Sequence, residues 1–133
     1  MSGLAGKPQA GLNRTAPSGL PLARLEVRSK LWIEVEGGAV LGDWRAAILE
    51  GIERTGSLAK SAALLGVPYR TAWQRLKESE ERLGMRLVDS QSGGADGGGS
   101  TLTPAARELL RRYAEFSQGI EELVNQRFRE TFG

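Results

Sequence analysis

The chain has 133 residues, enough for one compact domain with a single hydrophobic core. It contains neither cysteine nor histidine, which excludes a disulfide framework, a Cys/His metal site, a Ser-His-Asp triad and a Cys-His nucleophile. No apolar run approaches the ~20 residues of a membrane-spanning helix. The 18 basic and 16 acidic side chains nearly balance, so a polyanionic partner would have to meet a local basic surface.

The basic side chains are concentrated at the N-terminus. Residues 1–30 carry five basic side chains and one acidic one, whereas residues 31–133 carry 13 basic and 15 acidic ones. Frequent glycines and prolines predict a disordered basic arm over residues 1–28, either a solvated tail or a source of phosphate contacts. The arm has no continuous apolar stretch typical of a secretory signal, so we expect a cytoplasmic location.

A small hairpin and a helix are predicted at the start of the folded body. Residues 30–36 alternate in polarity, which is typical of a short half-buried strand. Residues 39–41 follow two glycines and are expected to form a second short strand. Apolar side chains at spacings of three and four then predict a first helix over residues 43–55. Asp43 is expected to be the N-cap of this helix.

A helix-turn-helix pattern follows. The second helix is predicted over residues 58–65, with Ser57 as its N-cap and Gly66 at its end. A very short turn leads to a third helix over residues 68–83, which Pro68 opens. Such a turn sets two helices at a steep angle, so the third helix can enter a major groove by its N-terminal end.

The remaining residues predict a wing and a long helix. Residues 85–88 and 101–103 are expected to form two short strands around a glycine-rich segment. Thr103 then caps a helix over residues 104–130, whose apolar side chains follow a heptad pattern. The predicted fold class is mainly α, a winged helix-turn-helix over residues 29–103, with a dimerisation helix over residues 104–133.

One motif in the third helix is more specific than this order of elements. Residues 68–73 are Pro-Tyr-Arg-Thr-Ala-Trp, and a glycine-rich wing follows. These features resemble the DNA-binding domain of the molybdate-responsive (ModE-type) transcriptional regulators, and Leu-Gly at 83–84 is similar to the related LysR-type regulators. The resemblance covers about residues 30–130. It implies a DNA-binding regulator of genes for molybdenum uptake or molybdoenzymes.

Two departures from the family pattern limit what the resemblance implies. Pro68 stands where the family usually has serine, so the third helix lacks a side-chain N-cap. The chain also stops before the region that binds molybdate in full-length members. We therefore expect no molybdate site and no cofactor in these residues.

The third helix carries the predicted DNA-reading side chains. Residues 70, 73, 74 and 77 share one outward face. The residues expected to face inward are Ala72, Leu76, Ser79 or Glu80, and Leu83. Arg70 has the donors for guanine and Gln74 has the groups that pair with adenine, whereas Lys77 is expected to contact phosphate. Tyr69 is expected to contact a phosphate or a thymine methyl group. Trp73 either packs in the core or lies partly exposed at the groove, and the alternative for the whole face is a solvated surface.

Two further regions are expected to contact DNA. Ser57, Lys60 and Ser61 lie at the start of the second helix, where backbone N–H groups and the helix dipole favour a phosphate. The wing is expected to lie along a minor groove through five glycines, Gly93, Gly94, Gly97, Gly98 and Gly99. Three arginines either contact phosphates or pair with nearby carboxylates: Arg75, Arg82 and Arg86.

The last helix is predicted to form a homodimer seam. Its heptad positions are Leu109, Tyr113, Phe116, Ile120 and Leu123. A symmetric dimer would set two recognition helices about one DNA turn apart, matching a two-fold operator. The alternative is packing within one protomer, and both arrangements are compatible on different turns.

The sequence therefore predicts a homodimeric, sequence-specific DNA-binding transcriptional regulator. The alternative is a winged-helix module that binds other proteins and has no operator, which the slight acidic excess of residues 31–133 favours. An enzyme is not expected, because general acid–base chemistry here would need paired carboxylates or one of only four lysines. No metal site is predicted.

Overall fold

A computed structural model describes residues 18–91 and 99–133. In these ranges the elements follow the predicted order: strand β1 (Trp32–Val35), strand β2 (Gly38–Gly42), helix α1 (Asp43–Thr55), helix α2 (Leu58–Leu65), helix α3 (Tyr69–Leu83), strand β3 (Val88–Gln91), strand β4 (Gly99–Leu102) and helix α4 (Pro104–Phe132). A single turn of 3-10 helix, Leu22–Arg24, lies within the N-terminal region that was predicted to be disordered, and the rest of that arm before residue 18 lies outside the described residues.

The first hairpin pairs β1 with β2 in antiparallel register. Its two-residue turn has positive φ at Glu36 and Gly37, a backbone twist that suits two-residue hairpin loops. Burial lies mainly in β2, through Val40 and Leu41, because most of β1 faces solvent. The expectation of a half-buried strand thus holds only for Val35, which packs against the core.

The core lies among the three helices of the first half and the base of the wing. Helix α1 supplies Ile48, Leu49 and Ile52, and the inner side of α3 supplies Ala72 and Leu76. The predicted inner side of α3 is confirmed, since its buried residues also include Ser79 and Glu80. Strand residues at the wing base and the start of α4 complete the core: Leu87, Val88, Leu102, Ala106 and Tyr113.

The N-cap of helix α1 is one residue before the predicted one. Gly42 occupies the N-cap position and makes no side-chain capping bond, whereas Asp43 is the first helical residue. The Asp43 carboxylate instead accepts a hydrogen bond of 2.6 Å from the hydroxyl of Tyr113. The prediction that Asp43 caps α1 is therefore wrong, because its side chain is bound to a distant helix.

The wing strands are shifted from their predicted positions. Strand β3 covers Val88–Gln91 rather than 85–88, and β4 covers Gly99–Leu102 rather than 101–103. The two strands pair in antiparallel register, with Val88 opposite Leu102. The residues between the strands, 92–98, lie outside the described part of the chain.

Contacts group the chain into two compact units. One comprises residues 30–115 and contains the core and the helix-turn-helix. The other takes in residues up to 29 and residues 116–133. Within this second unit the rings of Phe128 and Phe132 stack with their centroids 5.1 Å apart. The predicted division at residues 28 and 103 stays a prediction.

Candidate nucleic-acid interface

A three-residue turn joins α2 to α3. Gly66 ends α2 with φ of 69°, a left-handed conformation that favours glycine. The next N–H group, that of Val67, donates to the carbonyl of Ala62 at 3.0 Å, which completes a Schellman-type end. The second and third helices are thus connected by the short, glycine-containing turn that defines a helix-turn-helix.

Helix α3 starts at Tyr69, one residue after its predicted first position. Pro68 is its N-cap, with an extended backbone, and its carbonyl accepts from the N–H of Ala72 at 3.1 Å. No side chain caps this end, as the replacement of serine by proline predicts. The first N–H groups of α3 are therefore left without a side-chain partner from the cap position.

The outward face of α3 presents the predicted reading residues together. Tyr69, Arg70, Trp73 and Gln74 are all exposed, while Ala72 between them is fully buried. In the ranges that the structure describes, the side chains of Arg70 and Gln74 make no hydrogen bond or ion pair with other residues. Both polar groups are therefore available to a ligand. Trp73 is 45% exposed, so the expectation that it packs in the core is not met.

Lys77, the fourth predicted residue of this face, is engaged within the protein. Its ammonium nitrogen lies 3.3 Å from Oε1 of Glu80 and 5.6 Å from the centroid of the Trp73 ring. Glu80 itself is buried, which makes this pair less exposed than an ordinary surface salt bridge. Lys77 thus differs from Arg70 in having two partners on its own helix.

The start of α2 supplies two of its three predicted residues to the surface. Ser57 caps the helix as expected, since its hydroxyl accepts from the N–H of Lys60 at 3.1 Å. Lys60 is exposed. Ser61, in contrast, is fully buried and donates from its hydroxyl to the carbonyl of Ile48 at 2.7 Å. The prediction that Ser61 contacts phosphate is corrected here, because its hydroxyl faces α1.

The arginines for which two roles were predicted are paired with carboxylates. Arg75 lies 3.3 Å from Glu78, and Arg86 lies 3.8 Å from Asp89. Arg82 donates to the carbonyl of Ala39 at 2.7 Å, which joins α3 to β2. Arg75 and Arg82 thus have acidic partners on the same helix, whereas Arg70, at the N-terminal end of α3, has no ion-pair partner among the described residues.

The base of the wing is fixed to the helix-turn-helix at both strands. Oε2 of the buried Glu80 accepts from the N–H groups of Leu87 at 2.8 Å and Val88 at 3.1 Å. On the other strand, the N–H of Ser100 donates to the carbonyl of Gly56 in the turn before α2 at 2.8 Å. Sequence spacing predicted that Ser79 or Glu80 faces inward, but it offered no signal for this carboxylate's partners.

Only one of the five predicted wing glycines is described by the structure. Gly99 is the first residue of β4 and is partly buried. A Cβ at this position would lie 3.1 Å from the carbonyl oxygen of Gly56, so a glycine allows a close approach to the α1–α2 turn. The other four lie outside the described residues: Gly93, Gly94, Gly97 and Gly98.

The predicted dimer residues divide between the two compact units. Tyr113 is buried and Leu109 packs against the core of the first unit, so the intramolecular alternative describes these two. Phe116 and Leu123 are exposed to 49% and 53%, and Ile120 is partly exposed. The last three residues are therefore free to meet a second copy, and the dimer seam stays a prediction.

Two kinds of site are absent from the residues that can be described. Over 18–91 and 99–133, no group of three or more acidic side chains is placed to hold a metal ion. The helices of the same ranges include none with the length and hydropathy needed to span a membrane.

The element order and the geometry of this surface define a winged helix-turn-helix protein. Residues 45–107 match the family model described as bacterial regulatory helix-turn-helix protein, lysR family. The matched residues include all of α2 and α3, so the match covers the helix-turn-helix.

Several regulators and molybdenum-related proteins are similar to this segment. The chain is 35% identical over 88 residues to the molybdenum-pterin-binding protein MopB of Rhodobacter capsulatus, covering 66% of this chain and 33% of MopB. It is 38% identical over 87 residues to the molybdenum transport protein ModE of Herbaspirillum seropedicae, covering 60% and 32%. It is 31% identical over 74 residues to the DNA-binding transcriptional dual regulator ModE of Escherichia coli, covering 56% and 28%. The resemblance to the ModE-type DNA-binding region is confirmed.

The chain spans about a third of the length of these relatives. Among solved structures, the crystal structure of ArgP from Mycobacterium tuberculosis matches with a TM-score of 0.48 and 26% identity, covering 62% of this chain and 29% of that one.

Proposed function

We propose that this chain is a sequence-specific DNA-binding transcriptional regulator in which α3 enters the major groove. The observation that carries this proposal is the exposed pair Arg70 and Gln74 on α3. Both side chains are free of partners in the described residues, while the opposite side of the helix is buried. Arginine bidentate to guanine and glutamine bidentate to adenine are the contacts that such a helix uses in a major groove.

The distribution of paired and unpaired cations supports one orientation on DNA. Among the described residues, Arg70 and Lys60 have no ion-pair partner and lie at the N-terminal ends of α3 and α2, whereas Arg75 and Arg82 share the carboxylate of Glu78. A polyanion is attracted to the end of the domain where cations lack partners. The N–H groups at the start of α2 and the exposed Tyr69 are then near enough to the same groove to contact phosphates.

The names of the relatives support a particular set of target genes. Two of the relatives are named for molybdenum transport or molybdenum-pterin binding, and a third is named as a transcriptional dual regulator. We infer that this chain regulates genes of molybdenum uptake or molybdoenzyme function. The match covers about a third of each of these relatives, and we assign no molybdate site to the described residues.

We also propose that the chain acts as a homodimer through α4. The exposed Phe116 and Leu123, with Ile120 between them in a heptad spacing, give an apolar stripe on the part of α4 that follows Glu115. Two recognition helices related by a two-fold axis would read half-sites about one helical turn apart.

The experiment that tests the proposal is selection of binding sites from a random duplex library with the purified protein, at about physiological salt and with and without molybdate. Recovery of a two-fold symmetric site is expected, since a dimer reads two equal half-sites. A non-palindromic site would retain DNA reading but refute the dimer. Recovery of no motif, together with weak duplex binding, would refute the proposal and favour the protein-interaction module, which the acidic balance of residues 31–133 leaves as the second candidate.

A further inference from the structure

An exposed indole lies in the middle of the proposed reading surface. Trp73 follows Arg70 by one turn of α3 and precedes Gln74, and it is 45% exposed although its neighbour Ala72 is fully buried. A large apolar ring held in water is unfavourable unless a partner covers it. The domain leaves 45% of the Trp73 surface exposed, so the indole offers apolar area to a ligand.

The ring is held in place from one side. The ammonium group of Lys77 lies over it at 5.6 Å from the centroid, a distance at which a cation is attracted to an aromatic face. That ammonium is in turn bound to Oε1 of Glu80 at 3.3 Å. Glu80 is buried, and its other oxygen accepts from the N–H groups of Leu87 and Val88. A continuous chain of contacts therefore runs from the backbone at the wing base to the indole.

This chain of contacts changes the role expected of Lys77. A lysine engaged with a buried carboxylate and an aromatic ring is less available to a phosphate than an unpaired one. Its ammonium restricts the motion of the Trp73 ring, and a ring that is already ordered loses less side-chain entropy on binding. Lys77 is thus a positioning residue for Trp73.

We propose that Trp73 is a specificity-determining residue that reads the 5-methyl group of a thymine in the major groove. The inference rests on the proposed function, because it requires α3 to lie in that groove. Thymine is the one base that presents an apolar group there, and side chains recognise it by apolar contact. Arg70 and Gln74 supply hydrogen-bonding groups on either side in the sequence, whereas the free part of the indole supplies apolar area.

The test replaces each thymine of the selected duplex by deoxyuridine, one position at a time, which removes only the methyl group. For the wild-type chain, the replacement of thymine by deoxyuridine at one position in each half-site is expected to raise Kd about fourfold. This is the effect of losing one buried methyl group. In Trp73→Ala the ratio of Kd for the uracil duplex to Kd for the thymine duplex should fall to about one. Trp73→Phe should retain part of the difference. Arg75→Ala serves as the control, in which the ratio stays as in the wild type. Tyr69→Ala tests the other side chain that could contact a thymine methyl group, and it should also leave the ratio unchanged.

The positioning role of Lys77 has a separate readout. Lys77→Met keeps the aliphatic chain but removes the ammonium. It should reduce the uracil effect, that is, the increase in Kd when thymine is replaced by deoxyuridine, while Lys77→Arg should restore this increase. Circular dichroism and thermal melting confirm that each variant is folded. A uracil effect that persists in Trp73→Ala, that is lost in Tyr69→Ala instead, or that is absent from the wild type overturns the inference. A failure to select any specific site would refute the proposed function as well.

Discussion

The hydroxyl of Tyr113 donates a hydrogen bond of 2.6 Å to Oδ1 of Asp43, although the two residues are 70 positions apart in the chain. The ring of Tyr113 is buried in the core, while Asp43 is exposed at the first residue of α1. The bond therefore joins the beginning of the first helix to the last helix at the edge of the core. It also fixes which turn of α4 packs on the domain.

Removal of the Tyr113 hydroxyl should destabilise the domain while leaving its packing intact. Tyr113→Phe is expected to lower the free energy of unfolding by about 1 kcal/mol, because a partly buried hydrogen bond to a carboxylate is lost and the ring remains. Urea denaturation followed by circular dichroism measures the change. Asp43→Asn keeps an acceptor oxygen and should cost less, so equal costs of the two substitutions would contradict this account.

The contact between α1 and α2 depends on the absence of a side chain at position 51. A Cβ at Gly51 would overlap with the hydroxyl of Ser61, which itself is bound to the carbonyl of Ile48. Gly51→Ala should therefore lower the free energy of unfolding by about 1–3 kcal/mol, since the interior cannot expand without strain.

Position 119 offers the matched control for Gly51. Gly119 is also helical, but a Cβ there would meet nothing within 4 Å. Gly119→Ala is expected to raise stability by up to about 1 kcal/mol through its better helix propensity. Thermal melting of both variants compares them directly, and a similar change at the two positions would contradict the account in which the Ser61 contact sets position 51 apart.

The capping residues near a helix start predicted the N-cap of α2 but not that of α1, and the reason is physical. Ser57 caps α2 by reaching a backbone N–H three residues away, an interaction that its own neighbours determine. Asp43 has the same capping chemistry, but its carboxylate is bound to Tyr113 from a helix that begins some 60 residues later. A competing long-range partner cannot be read from the residues around a helix start.

The candidate site shows the same limit. Helical spacing placed Arg70, Trp73 and Gln74 on one face, and all three are exposed. Spacing could not distinguish Ser61 from Lys60, because the packing of α2 on α1 decides which of the two is buried. The start of β3 was predicted three residues too early and that of β4 two residues too late. The N–H groups of Leu87 and Val88 are bound to the carboxylate of Glu80 in α3, a long-range contact that strand patterning does not show.

Loss of the Arg70 side chain should weaken specific DNA binding. Arg70→Ala is expected to cost about 1–3 kcal/mol on the selected site and to relax the preference at one base pair, because a bidentate guanine contact is lost. Fluorescence anisotropy at one fixed salt concentration gives the affinities.

Arg75 provides the control for the change in charge. It lies on the same helix and is exposed, but its guanidinium is 3.3 Å from Glu78. Arg75→Ala removes the same formal charge and should weaken binding less, without altering base preference. Equal losses in the two variants would assign the role of Arg70 to general electrostatic attraction instead of base reading.

The last prediction concerns the apolar stripe of α4. Leu123 is 53% exposed, so its replacement should not disturb the core of residues 30–115. Leu123→Glu is expected to convert a dimer into a monomer of about 14.3 kDa in sedimentation, because a charge within the apolar seam would be desolvated without a partner. Gln118→Glu adds the same charge at an exposed polar position of α4 and should leave the mass unchanged. DNA affinity should fall with the loss of the dimer, since each protomer then binds a single half-site. A wild-type monomer, or a Leu123→Glu variant that still sediments as a dimer, would exclude this stripe as the seam.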